Sequence, residues 1–130
     1  MARTFKGYAS AYSANQMQPR RVRRFRKAPL VVDFNGAMDV GRTIESVTWE
    51  CTSPWVTLIS TPAVSVDQRS VSCVVQFNYG GFGWIKATVT LDDASQQNYE
   101  FEFDVMDVPM YPSATYNSAN GPYSVTASAP

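Results

Sequence analysis

The chain has 130 residues, with 11 basic and 11 acidic side chains and no histidine. A single domain is expected at this length, and a hydrophobic content of 45% is that of a folded protein. Lack of histidine removes the commonest general base, the commonest zinc ligand and every Ser-His or Cys-His pair. No enzyme, cofactor, metal site or small-molecule substrate is therefore expected.

Charge is segregated along the chain. Residues 1–29 hold eight bases and no acid, residues 30–108 hold three bases and all 11 acids, and residues 109–130 hold no charge at all. These boundaries divide the chain into a basic extended arm (1–29), a body (30–108) and a Pro/Tyr/Ser-rich extended tail (109–130). Opposite charge on arm and body invites contact between them, within one copy or between copies. Charged residues are 17% of the total, below the roughly 25% of a typical domain, so much of the surface is expected to meet protein.

The arm scatters Phe5, Tyr8, Tyr12 and Phe25 among Gly, Ser, Asn and Gln, without periodicity. It is expected to be extended and disordered alone and to order against a partner. Its strongest feature is the run Arg20, Arg21, Arg23, Arg24, Arg26 and Lys27. Guanidinium forks suit carboxylates on a protein surface, and they also suit nucleic-acid phosphates. Protein docking is the favoured reading, because the body offers no basic groove to share the load.

In the body, Leu30–Phe34 reads as a first strand. Thr43–Thr52 follows with Val47, Trp49 and Cys51 on one face, then Trp55–Ser60 after the break at Pro54. Val71, Cys73, Val75, Phe77 and Tyr79 alternate. So do Ile85, Ala87, Val89 and Leu91, and finally Tyr99, Phe101, Phe103 and Val105. Six short strands at regular spacing, without a helical segment, predict an all-β fold. A small antiparallel β-sandwich is the expected form, with an incompletely closed barrel second.

Tyr79-Gly80-Gly81-Phe82-Gly83-Trp84 is expected to be a hairpin with Phe82 and Trp84 exposed near its tip as contact residues. A phosphate-cradling loop would need a helix or a lysine to follow, and a strand follows instead. Glu100, Glu102 and Asp104 form an acidic stripe on one face of the last strand. That stripe reads as a solvated face or as a docking stripe for an arginine arm from a neighbouring copy. Cys51 and Cys73 read as two buried thiols or, less readily, as a disulfide. Four prolines (Pro109, Pro112, Pro122, Pro130) keep the tail out of a central strand. MARTFKGYAS lacks the apolar core of a secretion signal, and no apolar run is long enough to span a membrane. Synthesis in a cytoplasm without membrane contact is the expectation.

Ile44-x-Ser46-x-x-Trp49, a proline soon after, the Gly-Gly-x-Gly turn, Val89-Thr90 and the closing aromatic strand together resemble a known group. They are similar to the small immunoglobulin-like virion proteins of tailed bacteriophages, over roughly Val32 to Val108. The resemblance implies a structural role in the virion without catalysis, in many copies. The protein would be a neck or tail (fibre-attachment) adaptor or, alternatively, a capsid decoration protein. Its partners would be capsid, portal, neck or tail subunits and copies of itself.

Overall fold

The computed structural model describes residues 4–10, 20–23, 26–51, 58–77, 81–106 and 123–130. They form nine strands: β1 (Phe5–Ser10), β2 (Arg20–Arg23), β3 (Lys27–Gly36), β4 (Ile44–Cys51), β5 (Leu58–Val64), β6 (Ser70–Gln76), β7 (Gly81–Leu91), β8 (Gln96–Met106) and β9 (Tyr123–Ser128). No helix occurs among the described residues. Two sheets result, in the orders β1-β3-β6-β5 and β2-β8-β7-β4-β9. They face each other as an all-β sandwich.

Alternation explains the layering. In β4, Val47, Trp49 and Cys51 are fully buried while Thr48 and Glu50 face outward. In β6, Val71, Cys73 and Val75 point in, and in β8 Tyr99, Phe101, Phe103 and Val105 do the same. Aromatic rings set the core between the layers. Phe103 of β8 meets Phe77, just beyond β6, at a centroid distance of 4.9 Å, and Trp49 stacks on Phe101 at 6.4 Å. Burying each such ring contributes about 1.5–3 kcal/mol.

The structure differs from the sequence reading in five places. First, the arm supplies strands to this chain's own sheets. β1 pairs in parallel with β3, Phe5 opposite Leu30, and β2 pairs in parallel with β8, Arg21 opposite Asp104. Phe5 is buried edge-on against Phe103 at 5.1 Å. The inward positions of β1 are Phe5, Gly7 and Ala9, and two of these are too small to register as an apolar period.

Second, both sheets are mixed, because the two edge pairs made by β1 and β2 are parallel. Third, sheet membership also extends into the tail. β9 pairs antiparallel with β4 from Ser46–Ser128 to Cys51–Tyr123. It is an edge strand bounded by Pro122 and Pro130, which satisfies the rule that keeps proline out of sheet centres.

Fourth, no hairpin joins β6 to β7, since β6 lies in the four-stranded sheet and β7 in the five-stranded one. The chain therefore passes from one layer to the other between Phe77 and Gly81. Residues 78–80 themselves lie outside the described residues. Fifth, β5 runs from Leu58 to Val64, later than expected, and takes in Pro62. Its register against β6 slips between Ser60 and Ala63, where Thr61 has φ 52°. An edge-strand bulge tolerates both the proline and the positive φ.

Candidate functional site

Two surfaces carry the charge. The first is the outer face of the five-stranded sheet. β8 presents Glu100, Glu102 and Asp104, opposite Lys86, Trp84 and Phe82 of β7. On the other side of β8, Arg21 of β2 lies opposite Asp104, with Nε 3.9 Å from Oδ2. The arm and the acidic stripe thus meet within one copy. Their side chains are 71% and 38% exposed, so the pair is solvent-screened and worth at most about 1 kcal/mol.

Crowding on the stripe has an electrostatic signature. Partial burial, and then the Glu102 carboxylate two residues along, push the Glu100 pKa up, opposed by Lys86. Lys86 also lies over the Trp84 ring, 5.5 Å from its centroid. Trp84 is half-buried within the ladder, opposite Glu102, and so is not at a loop tip. Phe82 takes the strand position opposite Asp104. Of the arginine run, Arg20 and Arg23 are placed in β2, and Arg26 is exposed with its carbonyl accepting the Phe77 N–H at 3.1 Å. Arg24 lies outside the described residues.

The second surface escaped the sequence reading. The loops 37–43, 65–69 and 92–95 share one end of the sandwich and are laced together. Arg69 donates from Nη1 to the Arg42 carbonyl at 2.8 Å and from Nε to Asn35 Oδ1. Arg42 reaches Asp92 Oδ1 at 3.4 Å and Asp93 Oδ2 at 3.9 Å. The Ile44 N–H donates to the Gln68 carbonyl at 2.9 Å, and the Asp92 N–H to that of Thr43 at 2.9 Å.

Each acidic turn also closes on itself. Ser65 donates to Asp67, and Ser95 donates to Asp93 through both its hydroxyl and its N–H. These bonds hold both aspartates below the usual carboxylate pKa. Gln68 and Ala94 have φ of 58° and 70°, and Gly41 has 87°. Among these pinned loops, Val40 and Val66 are 99% and 92% exposed. No local motif marked this end, because the contacts between its loops join residues 24 to 51 positions apart.

Cys51 and Cys73 are both buried and not joined by a disulfide. They belong to opposite sheets. Burial pushes the Cys73 thiol far above its ordinary pKa, which makes it inert. Among the described residues, no group of three His, Cys, Asp or Glu side chains is placed to hold a metal ion.

No protein-family profile matches the chain, and no curated protein matches it. Some solved structures are similar to it. PbICP-C, solved in complex with falcipain-2, is similar with a TM-score of 0.52 at 10% identity, over 81% of this chain and 100% of that one. The cysteine protease inhibitor EhICP2 from Entamoeba histolytica gives 0.48 at 7% identity, over 81% and 97%. Murine CRIg gives 0.41 at 11% identity, over 72% and 93%. At these identities the likeness concerns the fold alone.

Proposed function

We propose that this chain is a non-enzymatic structural protein of a tailed-phage virion. It acts as a neck or tail (fibre-attachment) adaptor that docks on neighbouring subunits through its sandwich and its basic segment. The resemblance of Val32 to Val108 to small virion sandwiches supports the setting. The observation that carries the role is the pairing of β2 with β8, where Arg21 faces Asp104. It is an instance of this basic run meeting carboxylates on a protein sheet, which favours protein docking over nucleic acid. The outward rows of charge and the exposed loop end are surfaces for neighbours.

Imaging and mass spectrometry of purified particles encoded with this chain test the reading. Expected is a symmetric set of copies at the neck or tail, about a dozen or fewer for a single ring. Hundreds of copies on the shell would assign the decoration role. Absence from particles, together with steeply salt-dependent binding of DNA by the purified protein, would overturn the proposal in favour of a nucleic-acid-binding module.

A further inference from the structure

The strands run between two ends of opposite character. At one end lie the laced loops, which with the flanking residues carry Asp39, Glu45, Asp67, Asp92 and Asp93 against Arg42 and Arg69. Both bases are already engaged, Arg42 by Asp92 and Asp93 and Arg69 by Asn35 and the Arg42 carbonyl. At the other end β2 finishes at Arg23, opposite Met106, and β3 starts at Lys27. Six bases and no acid fall between Arg20 and Lys27; Arg26 and Lys27 are exposed, and Arg21 is exposed beside Asp104 of β8.

The acidic end also holds out the apolar side chains of Val40 and Val66. Single exposed valines are ordinary on a protein surface. Two of them at the tips of adjacent, internally bonded loops are different, because docking them costs little loop entropy. From these features we propose that copies of this protein associate end to end, the Val40/Val66 acidic end of one seating on the Arg21/Arg26/Lys27 end of the next. Such a contact is heterologous: the growing assembly always keeps one free end of each kind, so the chain of copies grows until a rotation closes it into a ring. The proposal does not depend on the particle reading, since it concerns purified protein.

Sedimentation velocity tests it with the full chain and two variants changed at exposed positions. Val40→Lys/Val66→Lys disables the acidic end, and Arg26→Glu/Lys27→Glu disables the basic end. The unmodified protein is expected to self-associate at low salt. It should dissociate between about 0.01 M and 1 M salt, as the Debye length falls from roughly 30 Å to 3 Å. Each variant alone should be monomeric, and an equimolar mixture should form a 1:1 dimer that grows no further, since each partner supplies the end the other lacks. An unmodified protein that stays monomeric at low salt overturns the proposal. So does association that either variant retains alone, or a mixture that fails to pair. Absence from virions would leave this contact standing, and a monomer found in virions would remove it alone.

Discussion

Gly7 of β1 lies directly beneath the ring of Tyr99 of β8, so close that a methyl group at Gly7 would overlap Cε1 and Cζ. That contact seals the N-terminal strand onto the opposite sheet, and it needs glycine for space, not for backbone freedom. Gly7→Ala is expected to destabilise the fold by about 1–3 kcal/mol, the usual cost of overpacking. Urea denaturation measures the loss. Adding Tyr99→Leu should recover part of it, and a Gly7→Ala protein as stable as the original would contradict the contact.

Trp49 is fully buried, and its Nε1–H finds no acceptor among the described residues. An unsatisfied buried donor costs about 1–3 kcal/mol. Trp49→Phe removes that donor and keeps a ring against Phe101, so its stability should fall within about 1.5 kcal/mol of the original, as for a tolerated core swap. Trp49→Ala should cost about 3–5 kcal/mol. Thermal and urea unfolding of the two variants separate these outcomes.

The two arginine contacts differ in their settings. Arg21 makes one long, exposed pair, and Arg21→Ala should cost less than about 1 kcal/mol. Arg69 ties Asn35 to the Arg42 carbonyl, and Arg69→Ala should cost about 1–3 kcal/mol through the polar groups it strands. Amides of the 37–43 loop should also exchange faster with solvent in that variant. Equal costs for the two substitutions would remove the distinction.

Acid titration carries opposing contributions. Asp67 and Asp93 have lowered pKa values, so their stabilisation is present above the ordinary aspartate value near 3.8 and is lost as pH falls through their folded values. Glu100 is raised above its ordinary 4.5. Its ionised form therefore works against folding above the raised value, and that penalty fades as pH falls. Glu100→Gln should be more stable than the original at pH 7, and Asp67→Asn less stable. Both differences should shrink on acidification below these carboxylate values. Denaturation midpoints at neutral and acid pH check both signs.

The sandwich was legible where one face is uniformly apolar. Val47, Trp49 and Cys51 in β4 and Tyr99 to Val105 in β8 announce their buried faces by alternation alone. β1 was not legible, because Gly7 and Ala9 point inward without adding apolar bulk. β9 was hidden for a similar reason: its inward residues Val125 and Ala127 are only half-buried. Glycine-rich turn chemistry marks a reversal of the chain, but cannot say whether the next strand joins the same sheet. The crossing from β6 to β7 therefore carries the same residue signature as a hairpin. Arg21 and Asp104, expected to dock on partners, face each other within one chain. The acidic loop end stayed invisible because Arg42 and Arg69 act across loops far apart in sequence.

Fold and assembly alike depend on the basic leader being part of the sandwich in a single chain. Hydrogen exchange on the isolated monomer at high salt tests this directly. The account predicts that β1 and β2 amides bonded to β3 and β8 are protected well above unfolded rates, slowest for residues paired opposite Leu30 to Asp33. Exchange throughout residues 5–10 and 20–23 at the rate of an unstructured peptide, with β3 and β8 still protected, would contradict it.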